Sequence, residues 1–173
     1  MPLLEILTYP DPFLRQVVKP VTTFDERIQK IIEDMADTMY DAPGVGLAAI
    51  QAGIDKRIIV FDPEADPKKR GFQVFINPEI VESRGETVSE NEGCLSVPDF
   101  RSNVKRSEFV VVKGLDRHGN PLKIETNGLL SVILQHEIDH LNGILFIDRI
   151  SALKRQLYKK KRKKALKKAL KNA

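Results

Sequence analysis

The sequence His136-Glu137-Ile138-Asp139-His140 constrains this chain more than any other feature, because its two histidines are four residues apart. On an α-helix, positions four apart lie on one face with roughly 5–6 Å between their Cβ atoms, so both imidazoles can bind one metal ion. Glu137 can then reach a water molecule on that ion. An apolar run leads into the motif and predicts a buried helix rather than surface histidines: Leu129, Leu130, Val132 and Ile133.

The third metal ligand has to come from elsewhere, because a catalytic site usually has three protein ligands and one open position. The long metalloprotease pattern would place a histidine at position 146, which is Phe. His118 lies in the polar stretch 116–120, which predicts an exposed hairpin turn. Cys94, the single cysteine, is the better candidate because its thiolate would stabilise a dication. A buried small side chain is the structural alternative for Cys94.

Hydrophobic patterns along the chain predict an α+β fold, with mainly antiparallel strands between an early helix and a late metal-binding helix. The early helix is predicted over 25–41, after a capping box of Thr23 and Glu26. The late helix is predicted over 129–140, with Gly143 as its C-terminal stop. Four segments rich in Val, Ile and Phe predict strands: 57–62, 72–83, 109–116 and 122–126.

Charge is distributed unevenly along the chain. Residues 154–173 contain 11 Lys or Arg and no acid, which leaves 17 basic against 24 acidic residues in the rest. We predict a catalytic domain over 1–150 and a basic helical extension of the same domain over 151–173. A solvated helix is the ordinary role of such a run, and phosphate binding is the alternative.

The opening residues do not resemble a signal peptide and no segment is apolar enough to span a membrane, so we expect a cytoplasmic protein.

Three segments resemble the signature motifs of the peptide deformylase family, in family order and at family-like separations. They are Gly44-Val45-Gly46-Leu47-Ala48-Ala49-Ile50-Gln51, Glu92-Gly93-Cys94-Leu95-Ser96 and Gln135-His136-Glu137-Ile138-Asp139-His140. The resemblance implies a hydrolase that removes the formyl group from the N-terminal formyl-methionine of nascent peptides. Two alternatives stay open: a metallopeptidase that uses the same His-Glu-x-x-His chemistry, and an RNA-binding module with a closed four-ligand structural metal site.

The resemblance also assigns roles to individual residues. It implies one divalent ion on Cys94, His136 and His140, with Fe2+ expected and Zn2+, Ni2+ or Co2+ as substitutes. Glu137 would be the acid and base, and the Gln51 amide with the backbone N–H of Leu95 would bind the oxyanion. The residues implied in peptide binding are Gly44, Val45, Gly46, Glu92, Gly93, Arg101, Val132 and Ile133. Core packing of Val132 and Ile133, and a surface position for Arg101, are the structural alternatives.

The resemblance finally implies two modes of contact with partners. A nascent peptide would add as an extended strand beside Val45 and Gly46. The basic tail would contact ribosomal RNA, so that deletion of residues 154–173 weakens ribosome binding and its salt dependence but spares activity on short formyl peptides. Asp139 is expected to face away from the ion and to act as a structural partner.

Overall fold

In the computed structural model, which describes residues 3–172, helices cover both faces of an antiparallel sheet. The helices are α1 (Glu26–Asp41), α2 (Gly128–Leu141) and α3 (Ala152–Lys171). The strands are β1 (Gly46–Ala48), β2 (Ile58–Phe61), β3 (Gln73–Arg84), β4 (Thr87–Cys94), β5 (Val97–Arg106), β6 (Phe109–Leu115) and β7 (Pro121–Asn127). Short 3-10 helices span Pro12–Arg15, Ala49–Ala52 and Phe146–Arg149. The predicted α+β class is confirmed.

Five strands form one sheet in the order β1-β2-β3-β6-β7, and β4 pairs with β5 in a separate hairpin. Strand β2 shows how the sheet joins two cores, because its side chains alternate between the faces. Ile58 and Val60 pack with the apolar side chains of α1, whereas Ile59 and Phe61 pack with those of α2. Helix α2 is therefore buried against the sheet, and the histidine motif lies inside the protein.

The ends of the predicted helices are confirmed to within one or two residues, but the predicted N-cap of α1 is wrong. The capping side chain is that of Asp25, which accepts a hydrogen bond from the backbone N–H of Ile28 at 3.1 Å. An aspartate directly before the first turn satisfies this free N–H and also places negative charge at the helix N-terminus. Gly143 ends α2 as predicted, with a φ of +75° and its N–H donated to the carbonyl of His140.

All four predicted strands are present, but the predictions missed β1, β4 and β5. Strand β1 has three residues and lies in a segment whose two glycines favour a loop. Strands β4 and β5 are rich in polar residues and contain register shifts, with Asn91 and Asp99 at positive φ. Pairing of these two strands with each other, and not intrinsic strand propensity, decides their conformation.

The basic C-terminal segment forms helix α3, and one face of this helix packs against the rest of the protein. Tyr158 is 2% exposed, and its ring centroid lies 4.8 Å from that of Phe100 and 5.8 Å from that of Tyr9. Arg162 donates a hydrogen bond to the carbonyl of Tyr9 at 2.9 Å. The other faces are open to solvent, and Leu153 there is 71% exposed. None of the helices within residues 3–172 has the length and apolar character needed to span a membrane.

Candidate active site

Three side chains from two distant segments converge between α2 and the end of β4. Sγ of Cys94 lies 3.3 Å from Nε2 of His140, and that nitrogen lies 3.3 Å from Nε2 of His136. The three ligand atoms lie within 4.8 Å of one another, as the sequence predicted. Nitrogen and sulfur ligands bonded at about 2.0–2.3 Å to one tetrahedral ion are about 3.3–3.6 Å apart. The group therefore fits a single divalent ion.

The number of these side chains favours a catalytic metal site over a structural one. Within residues 3–172 the converging group has three members, which leaves one tetrahedral position for water or substrate. This arrangement argues against the closed site of an RNA-binding module. Burial lowers the pKa of His140 well below its usual value and so favours the neutral imidazole that binds metals.

Glu92 holds the first imidazole from behind. Its carboxylate accepts a hydrogen bond from Nδ1 of His136 at 2.6 Å, so that Nε2 faces the other ligand atoms. Burial opposes ionisation of Glu92, but hydrogen bonds from His136 and Arg106 outweigh that effect and lower its pKa to about 2. A carboxylate that fixes the second ring nitrogen also sets the tautomer and the direction of the ligand.

A buried arginine links Glu92 to helix α2. Nε of Arg106 donates to Glu92 at 3.2 Å, and Nη1 donates to Asp139 at 2.9 Å. Asp139 also accepts two hydrogen bonds from Arg149, at 2.6 and 2.8 Å. Asp139 thus faces away from the ligand atoms, as expected, but the side chain that holds a histidine is Glu92. Two arginines and two carboxylates secure α2 against β4, β5 and the 3-10 helix at 146–149.

Glu137 lies against the backbone of Gly46. Its side chain is buried, and an ideal Cβ on Gly46 would lie 2.5 Å from Oε2 of Glu137. Position 46 therefore has to be glycine for the carboxylate to take this place. Burial raises the pKa of Glu137 to about 7. A carboxyl group with a pKa near neutrality can both accept and donate a proton at physiological pH.

The side-chain amide of Gln51 also lies beside the converging thiol and imidazoles. Gln51 is 2% exposed, and its Oε1 accepts a hydrogen bond from the backbone N–H of Ala48 at 2.9 Å. Its Nε2 lies 3.6 Å from Sγ of Cys94 and 3.0 Å from Oγ of Ser96. The N–H side of the amide therefore faces the candidate metal ligands. Leu95 follows Cys94 in the turn that joins β4 to β5.

A groove of about 970 Å³ runs past this centre. Among its lining residues are all of the predicted site residues except His140, which lies beneath them: Gly44, Val45, Gly46, Gln51, Glu92, Gly93, Cys94, Leu95, Arg101, Val132, Ile133, His136 and Glu137. Ile133 also belongs to the hydrophobic core, so the structural alternative weighed for it holds, although the residue lines the groove as well. The guanidinium of the exposed Arg101 lies over Gly93, where an ideal Cβ would be 3.1 Å from Cζ.

Strand β1 borders the groove as a free edge of the five-stranded sheet. The carbonyl of Val45 accepts a hydrogen bond from the N–H of Asp62, so the peptide groups of Val45 point toward β2. Backbone groups of successive residues in a strand point to opposite sides. The N–H and C=O of Gly46 therefore face the groove, where an extended peptide could pair with them.

Sequence reasoning missed Arg106, because its partners Glu92 and Asp139 lie 14 and 33 residues away. A signal does exist in β5, where Ser102, Val104 and Arg106 occupy the alternating buried positions. An arginine on the buried face of a strand needs buried carboxylate partners. Recognition of β5 as a strand would therefore have indicated an ion pair at this position.

Comparison with known proteins points to one family. The family model described as polypeptide deformylase matches residues 3–156. The peptide deformylase of Desulfosudis oleivorans is 51% identical to this chain over 98% of both sequences. That of Thermodesulfovibrio yellowstonii is 52% identical, covering 93% of this chain and 97% of its own length.

Solved structures agree with the sequence comparisons. A peptide deformylase from Legionella pneumophila superposes with a TM-score of 0.89 at 51% identity and 98% coverage of both chains. The enzyme from Synechococcus elongatus, solved in complex with actinonin, has a TM-score of 0.88 at 40% identity, with 94% of this chain and 89% of that one covered. The metallopeptidase alternative is not favoured. The chain belongs to the polypeptide deformylase family, hydrolases that remove the formyl group from nascent peptides.

Proposed function

We propose that this chain hydrolyses the formyl amide of N-terminal formyl-methionine by means of Glu137, Gln51 and Leu95. Cys94, His136 and His140 would hold the divalent ion. The convergence of one thiol and two imidazoles beside a buried carboxylate is the observation that carries the proposal. A divalent ion in this site supplies a Lewis acid that makes water nucleophilic near neutral pH.

Two proton transfers by Glu137 complete the reaction. Its carboxylate takes a proton from the water molecule that attacks the formyl carbon, and returns a proton to the amine as the C–N bond breaks. The products are formate and a free N-terminal amine. Gln51 Nε2 and the backbone N–H of Leu95 donate hydrogen bonds to the oxygen that gains negative charge at the formyl carbon. The raised pKa of Glu137 supports both transfers.

The proposed substrate pose uses the free edge of β1. A nascent peptide pairs with the backbone of Gly46 as an added strand, while apolar Val132 and Ile133 receive the methionine side chain. Arg101 and Gly93 border the path of the residues that follow methionine. Formyl-Met peptides should therefore be hydrolysed far faster than formyl peptides whose first residue is charged.

We propose Fe2+ as the working ion, on the resemblance of the motifs to the family, with Zn2+, Ni2+ or Co2+ as substitutes. One thiolate and two imidazoles suit all four ions. The test is formate release from formyl-Met-Ala-Ser under anaerobic conditions, with metal analysis of the same sample. Activity should follow iron content. Full activity in iron-free protein with zinc alone would overturn the choice of ion, and no formate release by metal-loaded protein would overturn the proposed function.

Gly46→Ala is expected to lower kcat/KM for formyl-Met-Ala-Ser by about 10²-fold, since displacement of a reacting group by about 1 Å costs that much. The new Cβ would overlap Oε2 of Glu137 at 2.5 Å. Initial rates of formate release measure the effect. Gly71→Ala is the control, because a Cβ on this exposed glycine would meet nothing within 4 Å and Gly71 does not line the groove. Equal losses in both variants would contradict the proposed place of Glu137.

We propose further that α3 binds ribosomal RNA. We also propose that residues 151–173 are an extension of the catalytic domain and that the protein acts in the cytoplasm. The basic residues of α3 and its solvent-facing surface support RNA contact. The packing of Tyr158 and Arg162 on the rest of the protein supports the extension. Deletion of residues 154–173 would remove both anchors, so substitution of exposed lysines is the sharper test.

Simultaneous Lys→Gln changes at Lys160, Lys164, Lys167 and Lys171 should weaken ribosome binding and spare hydrolysis of formyl-Met-Ala-Ser. An α-helix turns by about 100° per residue, which places these lysines on the face opposite the buried Tyr158. Removal of each lysine that binds a phosphate should flatten the slope of log affinity against log salt by about 0.7–0.9. Co-sedimentation with ribosomes over a series of salt concentrations measures both quantities.

The control for this experiment changes the same net charge elsewhere. Lys→Gln at Lys68, Lys69, Lys113 and Lys123 removes four exposed charges outside α3. This control variant should bind ribosomes nearly as well as the unmodified chain. Equal weakening by both quadruple variants would show that only total charge matters and would contradict a role for α3.

A further inference from the structure

We propose that the hydroxyl group of Ser96 is a positioning group, which orients the Gln51 amide so that one of its N–H bonds points at the reacting carbonyl. The inference rests on the proposed function, in which Gln51 stabilises the developing oxyanion. Ser96 itself is 0% exposed and is not among the residues that line the groove. It can therefore influence the reaction only through a neighbour.

The backbone holds Ser96 firmly beside Gln51. Ser96 lies in the turn between β4 and β5, and its carbonyl accepts a hydrogen bond from the N–H of Tyr9 at 2.7 Å. The carbonyl of Gln51 likewise accepts from the N–H of Leu7 at 2.7 Å. The segment at residues 7–9 thus bonds to both backbones and fixes the distance between the two side chains.

The hydrogen bonds of Gln51 determine which way its amide faces. The backbone N–H of Ala48 is solely a donor, so the side-chain atom 2.9 Å from it has to be the oxygen Oε1. The nitrogen Nε2 then faces Ser96 at 3.0 Å. An amide nitrogen donates and does not accept, so the hydroxyl oxygen of Ser96 is the acceptor.

This contact settles the direction of the second N–H. The two N–H bonds of a planar amide are fixed relative to each other, and Ser96 binds one of them. The other is directed to the side on which Sγ of Cys94 lies, 3.6 Å from Nε2. That side holds the metal ligands and the groove. Without the hydroxyl, the amide would keep its bond to Ala48 and the long contact to Sγ of Cys94, but Nε2 would lose its shortest hydrogen bond and with it a fixed direction.

Ser96→Ala tests the proposal in metal-loaded protein with formyl-Met-Ala-Ser as substrate. Removal of a whole oxyanion donor typically costs about 10²–10³ in kcat. Loss of its orientation alone should lower kcat about tenfold, with KM changed less than about twofold. Metal content per chain should stay the same. Ser96→Gly, which also lacks the hydroxyl, should show the same loss and serves if the alanine variant does not fold.

A double-mutant cycle separates positioning from a merely structural role. Once Gln51 is replaced by Ala, the hydroxyl has no amide to orient, so adding Ser96→Ala should change kcat less than about twofold. A structural role would instead produce the same loss in both backgrounds. That result, or an unchanged kcat for Ser96→Ala in the native background, would overturn the proposal.

The same assay keeps this inference apart from the proposed function. If the unmodified, metal-loaded chain releases no formate, the proposed function fails and the role of Ser96 fails with it. If the unmodified chain is active and hydroxyl removal has no effect on kcat, only the positioning role is refuted.

Discussion

Glu137→Gln should reduce kcat for formate release by about 10²–10⁴-fold, the usual contribution of a general acid and base, while the protein keeps its metal ion. Glutamine preserves the shape of the buried side chain beside Gly46 but cannot take a proton from water. Steady-state assays with formyl-Met-Ala-Ser measure the loss, and elemental analysis measures the ion. Residual activity within tenfold of the unmodified chain would contradict the acid and base role. Loss of the ion together with activity would show that Glu137 acts through metal retention.

The pH profile of the unmodified chain provides a second measurement on Glu137. Burial raises the pKa of this carboxyl to about 7, and only the deprotonated form can accept a proton from water. Activity should therefore fall as pH decreases through this pKa. A nearby dication favours the carboxylate, so with the ion bound the decrease should lie at or below about pH 7. A rate that stays constant down to pH 4 would contradict the assignment.

Arg106→Leu is expected to have the largest effect on stability, about 3–5 kcal/mol of the free energy of unfolding. Arg106 is 4% exposed, and its loss would leave the buried carboxylates of Glu92 and Asp139 without their common partner. Urea unfolding of the metal-loaded protein measures the change. Because Glu92 also orients His136, metal affinity should fall about 10–100-fold in the same variant.

Arg149→Leu is the matched control for this prediction. Arg149 also binds Asp139, but 43% of its side chain is exposed. Its removal should cost about 1 kcal/mol or less, since water and Arg106 still stabilise the carboxylate. Equal losses from the two substitutions would show that burial of the Arg106 network contributes nothing specific.

Much of the candidate site can be predicted from the sequence because its motifs are local. The spacing of His136 and His140 determines that both rings lie on one side of a helix, and Glu137 follows from adjacency. The third ligand was different in kind. Cys94 was preferred by elimination and by family resemblance, since no local rule connects it to a histidine 46 residues later.

The parts that sequence reasoning missed depend on side chains brought together from far apart. Arg106, Glu92 and Asp139 belong to three elements, and their ion pairs exist only after the β4–β5 hairpin packs against α2. That hairpin was itself missed because its polar residues have low strand propensity, and only pairing makes them strands. The predicted cap of α1 failed for a smaller reason, since Thr23 and Asp25, two positions apart, both offered suitable side chains and Asp25 accepts the hydrogen bond from the free N–H.

The sequence alone determined the α+β class, the buried histidine helix and the ligand types, because helical spacing, hydrophobic alternation and side-chain chemistry are local properties. Three contacts arise only on folding: the thiol meets both imidazoles, Gly46 leaves room for Glu137, and Glu92 holds His136. These contacts are set by packing of the sheet against α2, which no single segment encodes, since each segment provides only one side of every contact.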